Sequence, residues 1–126
     1  MIVLDASVLI AFLSPADALH GDALSCLVAL GSRRLLVSPI THAEILVGPA
    51  RAGTLAATQS ALTGLRVAEV ALPADAAARL AGLRVTTGLK LPDCCVILAA
   101  QQSQCAILSF DDRLAAAAAG LGLPAR

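Results

Sequence analysis

Short apolar runs alternating with longer helical patterns predict an α/β fold built on a parallel sheet of four to five strands. Three observations carry this. The strand-like runs are apolar on both faces, as buried parallel strands are. A helix-like stretch separates each run from the next, which is the order that places helices on both sides of a sheet. Gly31, Gly53, Gly88 and Gly120 stand where those helices should stop.

In chain order, Ile2-Val3-Leu4 reads as the first strand, closed by Asp5, and Ala6 to Leu13 and Asp17 to Leu30 read as helices. Leu35-Leu36-Val37 is the second strand. Helices over Pro39 to Val47 and Leu55 to Leu65 lead to a third strand from Val67 to Ala71. Ala74 to Thr86 and Pro92 to Gln102 are helical in pattern, Ala106-Ile107-Leu108 is the fourth strand, and Asp112 to Ala119 is a closing helix rich in alanine, the strongest helix former. Leu121 to Pro124 is the candidate for a weak fifth strand. Repeats, linkers and composition shifts are absent, so residues 1–126 are expected to form a single domain.

At 126 residues, 58% of them hydrophobic and 14% charged, the chain has ample apolar surface for a core, which excludes disorder. A mean hydropathy of +0.83 raises the question of a membrane span. The longest charge-free stretch, Cys94 to Phe110, is interrupted by Gln101-Gln102-Ser103-Gln104, and a span needs about 20 mostly apolar residues. The opening Met1-Ile2-Val3-Leu4-Asp5 lacks the basic lead of a signal peptide. A soluble, cytoplasmic protein with no membrane partner is expected. Nine basic residues balance nine acidic ones, and the aromatic residues are Phe12 and Phe110. Neither a basic patch nor stacking platforms are therefore expected to carry nucleic-acid binding. Cys26, Cys94, Cys95 and Cys105 form no C-x-x-C pair, so they read as reduced, mostly buried small hydrophobes.

Five acids stand out. Asp5 ends a strand, Glu44 lies inside the third helix, Asp93 opens the sixth, and Asp111 and Asp112 follow the last strand. At about 100° per residue, Glu44 falls within about 60° of Ile40 and Val47, taken as that helix's buried face. Asp93 falls within about 40° of Ala100 and Ile97, on the core side of its helix. Asp5, Asp93 and Asp111 are also ordinary cap or first-turn acids. Glu44 lies too deep in its helix for that. In an open parallel sheet the loops after the strands form the ligand crevice, and Asp5, Glu44, Asp93 and Asp111 all reach it. Four carboxylates at one place repel unless a cation joins them, and an all-oxygen set favours Mg²⁺ or Mn²⁺. His20 and His42 are expected in surface or structural roles.

The segments I-V-L-D-A-S, S-P-I-T-H-A-E-I-L-V-G, L-P-D-C-C-V-I-L-A-A and I-L-S-F-D-D-R-L, in that order, resemble the PIN domain, and in particular the VapC-type toxins of bacterial toxin–antitoxin modules. The resemblance spans nearly the whole chain and implies a PIN-like α/β/α sandwich and a Mg²⁺- or Mn²⁺-dependent endoribonuclease. Asp5, Glu44 and Asp93 match the three core acidic positions and Asp111 the fourth. Ser7 and Ser109 match the small hydroxyl positions, expected to orient a water or phosphate, and Asp112 is an extra acid. The resemblance further implies an RNA substrate, a homodimer, and an antitoxin whose apolar segment packs beside the acids with a basic side chain near Asp5 and Asp93. The apolar excess of the early helices, at Leu9, Ile10, Leu13, Leu24, Leu27, Val28 and Leu30, points to association as well. Arg33, Arg34, Arg51, Arg84 and Lys90 are expected to be solvated first and RNA guides second.

Two alternatives stand beside this reading. A haloacid-dehalogenase-type phosphohydrolase would use Asp5 as nucleophile, Ser38 and Lys90 for phosphate and Asp111-Asp112 for Mg²⁺, but it needs an acid where Ser7 stands. The other is a catalytically silent PIN-like binding module.

Overall fold

A computed structural model describes residues 1–124. Its elements run β1 (Ile2–Leu4), α1 (Ala6–Leu13), α2 (His20–Leu30), β2 (Leu35–Val37), α3 (Pro39–Ala52), α4 (Leu55–Gly64), β3 (Val67–Glu69), α5 (Ala76–Thr87), α6 (Leu91–Ser103), β4 (Ala106–Leu108) and α7 (Asp112–Gly120). The strands pair in parallel in the order β3-β2-β1-β4, with Ile2 facing both Leu35 and Ala106. The α/β fold with a central parallel sheet is as the sequence predicts.

Strand alternation divides the core into two layers. Ile2, Leu4, Leu35, Val37 and Leu108 pack with Val8 and Leu9 of α1, Ala23 of α2, Ile45 of α3 and Leu62 of α4. Val3, Leu36 and Ile107 turn the other way, onto α5, α6 and α7. Each fully buried Leu or Ile contributes about 1.5–3 kcal/mol, so three-residue strands suffice because no face of β1, β2 or β4 is left to water. In α6, every residue from Cys94 to Ala100 is buried. This helix has no polar face over that stretch, and only its ends reach solvent. Among the described residues no helix is long and apolar enough to cross a membrane.

Several boundaries differ from the sequence reading. The second helix starts at His20 rather than Asp17, because Asp17 Oδ1 accepts the Leu19 N–H at 2.8 Å and holds a turn instead. The third runs on through Pro49 to Ala52, and Gly53 at φ 74° ends it. The third strand stops at Glu69: it is an edge strand, only half-buried, and Val70 adds a last bond to Val37 O at 2.8 Å. The fifth strand does not form among the described residues. Ile107 N–H donates to Pro124 O at 3.0 Å, but proline has no N–H with which to extend a ladder.

The face assigned to α3 is also corrected. Ile40 and Val47 are 39% and 47% exposed, and the buried positions are Thr41 and Ile45. Thr41 can be buried because its N–H and hydroxyl both bond the equally buried Ser38 Oγ, at 3.1 and 3.3 Å. Glu44 is thus beside the Thr41–Ile45 stripe, on the exposed rim of the helix.

Candidate active site

With the order β3-β2-β1-β4, chain direction along the sheet reverses between β1 and β4, and the crevice at such a switch point lies beyond the carboxyl ends of the two strands. Asp5 leaves β1 there and Ser109 and Asp111 leave β4. Asp5 is buried, and its carboxylate is held by three donors. Its Oδ1 accepts the Ala6 N–H at 2.8 Å, and its Oδ2 accepts the hydroxyls of Ser7 at 2.7 Å and Ser109 at 2.8 Å. Those hydroxyls in turn accept from backbone: Ser7 Oγ from Phe110 N–H at 3.1 Å, and Ser109 Oγ from Asp111 N–H at 2.9 Å. A hydroxyl has one proton. Both protons point at Asp5, so both serines position that carboxylate and join the end of β1 to the turn after β4. Asp111 caps α7, its Oδ1 accepting Arg113 N–H at 2.9 Å and Leu114 N–H at 3.2 Å.

Glu44 and Asp93 complete the acidic crevice from α3 and the first turn of α6. The carboxyl of Glu44 is pushed up from the ordinary range by partial burial, then by the charges of Asp5 and Asp93. Its neighbours Ile10, Leu13 and Ile45 line an apolar groove and account for that loss of hydration although the residue itself is exposed. Asp93 is pushed up by burial and by Asp5 and Asp111, against a smaller lowering from Lys90 and Arg113. The four acids therefore share one field. Asp112 does not enter it; it is exposed on the outside of α7.

Among the described residues no three His, Cys, Asp or Glu side chains form a group compact enough, as they stand, to hold an ion. Like charges lower their energy by standing apart. The donor set nonetheless fits a hard divalent cation: it is all oxygen, Asp5 is pre-positioned, and Glu44 and Asp93 carry the mutual repulsion a cation relieves. The histidines are elsewhere. His20 Nδ1 bonds Ala11 O at 2.8 Å, and His42 pairs with Glu69 at 2.8 Å. Cys94 and Cys95 are buried, and Cys26 and Cys105 half-buried, all as free thiols.

The family model described as PIN domain matches residues 2–120. The chain belongs to the PIN domain family. No curated protein matches it in sequence. Among solved structures, a toxin–antitoxin complex from Klebsiella pneumoniae superposes with a TM-score of 0.75 at 25% identity, covering 88% of this chain and 87% of that one. VapC20 from Mycobacterium tuberculosis, described as a sarcin–ricin loop cleaving toxin, gives a TM-score of 0.77 at 19% identity over 93% of this chain and 95% of its own. VapBC2 from Rickettsia felis, solved with a promoter DNA fragment, gives 0.72 at 15% identity over 100% and 98%. At the lower identities the likeness establishes the fold. The PIN match overturns the haloacid-dehalogenase reading, and so does Ser38, whose hydroxyl is buried at the start of α3 rather than open to a phosphate.

The sequence reading missed two features of this region. The pairing of His42 with Glu69 joins α3 to the edge strand across 27 residues, beyond any local spacing. The serine bonds to Asp5 were half visible: Asp5-x-Ser7 is a local pattern, whereas Ser109 lies 104 residues away.

Proposed function

We propose that this PIN domain is a Mg²⁺- or Mn²⁺-dependent endoribonuclease and the toxin half of a bacterial toxin–antitoxin pair. The observation that carries the reading is the acidic crevice at the β1/β4 switch point, with Asp5 fixed by Ser7 and Ser109, its charge felt by Glu44 and Asp93, and Asp111 acting on Asp93. Asp5 and Asp93 would hold the cation, with Glu44 and Asp111 contributing to the same site. Bound there, it supplies an activated water and neutralises charge on the scissile phosphate and leaving oxygen. Ser7 and Ser109 keep Asp5 in one orientation, so less reorganisation accompanies binding. Asp112 stays outside the reaction.

The solved neighbours support the biological setting, since the Klebsiella structure is a toxin–antitoxin complex and VapC20 cleaves an RNA loop. The surface offered to the antitoxin's apolar segment is the groove of about 340 Å³ that Ile10, Leu13, Ile45 and Pro49 line together with Glu44. A basic side chain of that segment, placed near Asp5 and Asp93, competes with the cation for the same oxygens. Of the early-helix positions expected to drive association, Leu9 and Leu30 are buried in the core, so association of two copies uses the exposed Leu24 and Val28 of α2, the latter 79% exposed.

Incubation with total cellular RNA tests the activity. Purified protein is expected to cut in Mg²⁺ or Mn²⁺ and to stop in excess chelator. Asp93→Asn is expected to abolish cutting without lowering the melting temperature, because it removes a charge that its neighbours oppose. Equal cleavage in chelator rules out the metal mechanism.

A further inference from the structure

The chain is neutral overall, yet its charges are not evenly spread. Arg84 from the last turn of α5, Lys90 immediately before α6, and Arg113 in the first turn of α7 line one cavity of about 340 Å³, and Asp93 and Asp111 form its acidic wall. Lys90 and Arg113 are near enough to Asp93 to favour its charged form. Even so, among the described residues the one ion pair within 4.0 Å is His42 with Glu69, so none of these three cations is closed onto a carboxylate. Arg84 is held in place by a bond from its Nη1 to Leu89 O at 2.8 Å, which leaves its other guanidinium donors free. The first turns of α6 and α7 border the same cavity, that of α7 capped by Asp111.

We propose that Arg84, Lys90 and Arg113 form a phosphate-binding subsite for the RNA backbone, holding a phosphate adjacent to the one presented to the acids. This rests on the ribonuclease reading and adds what that reading lacks, a positive surface on a protein with no net charge. An anion alone would be repelled by Asp93 and Asp111. A polyanion that places one phosphate at the acids' cation and the next at the three basic groups satisfies both walls at once. The subsite thereby fixes where the strand lies relative to the scissile bond and makes Lys90 and Arg113 positioning residues.

Binding of a short fluorescein-labelled RNA, followed by anisotropy with Ca²⁺ in place of Mg²⁺ or Mn²⁺ over a series of NaCl concentrations, tests the subsite with a cation available to the acids, and cleavage is followed separately in Mg²⁺. Each phosphate contact on a single strand contributes about 0.7 to the slope of log affinity against log salt. Lys90→Ala with Arg113→Ala is expected to lower that slope by about 0.7, and to weaken binding at low salt about tenfold, as loss of charged hydrogen bonds does. Arg33→Ala with Arg34→Ala removes equal charge ahead of β2, at the opposite end of the sheet, and is expected to change neither. An unchanged slope in the first pair, or an equal loss in the second, overturns the proposal. RNA that is still cleaved while slope and affinity stay fixed refutes the subsite and leaves the nuclease. RNA bound with the expected slope but never cut refutes the nuclease and leaves the subsite.

Discussion

Replacing Ser109 by Ala isolates the contact that joins the two strand ends of the crevice. Ser109 is 7% exposed, and its hydroxyl donates to Asp5 Oδ2 at 2.8 Å and accepts from Asp111 N–H at 2.9 Å. Alanine removes a hydrogen bond to a buried carboxylate, worth about 1.5–3 kcal/mol, and leaves the Asp111 N–H without its partner, at about 1–3 kcal/mol. The two losses overlap, because the turn relaxes once rather than twice, so a net cost of about 3 kcal/mol is expected. A domain of this length loses about 4 °C of melting temperature per kcal/mol, which makes the fall about 12 °C. Ser7→Ala is expected to cost about half as much: Ser7 makes the matching pair of bonds at 2.7 and 3.1 Å but is only half-buried, so water replaces part of the loss. The exposed Ser32→Ala is the control. Thermal melts followed by circular dichroism in chelator report stability apart from any bound cation. A Ser109→Ala melting temperature within about 2 °C of wild type, or a larger loss from Ser7→Ala, refutes the argument that these hydroxyls hold Asp5.

Acidification tests the shared field. Glu44 and Asp93 have folded-state values above their ordinary ones, so they take up protons earlier as pH falls. Metal-dependent cleavage should therefore decline above the ordinary carboxylate range, and added Mn²⁺ should move the decline to lower pH. In chelator the sign reverses for stability. Raised carboxyl values oppose folding at neutral pH, and that cost is relieved as pH drops through the folded values, so the melting temperature should hold or rise slightly on mild acidification before other groups titrate. Activity sustained down to the ordinary range would contradict this. Thiol titration in denaturant, with no reductant during lysis, should return all four cysteines. In the folded protein Cys94 and Cys95 should be the slow ones, since both are buried and burial pushes their thiols up; fewer than four in denaturant means a disulfide. Light scattering should give twice the 12.6 kDa chain mass, and Leu24→Glu with Val28→Glu should return the single-chain value. A wild-type species of one chain mass at micromolar concentration sinks the dimer.

The parts of this molecule that were legible in its sequence are those whose signal is local. A parallel strand buried on both faces appears as an unbroken apolar run, so β1, β2 and β4 were found to the residue. An acid directly after such a run, or within three residues of it, lies at the carboxyl edge of the sheet, as Asp5 and Asp111 do. Hydropathy failed where apolar residues outnumber buried positions. Ile40 and Val47 on α3 look like a core face and are exposed, while Thr41 is buried at 0% exposure because Ser38 satisfies it. Glu44 therefore reaches the other acids from the rim of α3, beside the buried Thr41–Ile45 stripe, and not from the Ile40–Val47 face that hydropathy favours. The same limit applies to charge. A total of nine against nine argues against nucleic-acid binding only if the charges are mixed. Here the fold brings Arg84, Lys90 and Arg113 from three separate segments into one cavity beside Asp93 and Asp111, and those two acids share the field of Asp5 and Glu44. What bears on RNA binding is this convergence of charged groups from distant segments at one crevice, which no sum over the sequence contains.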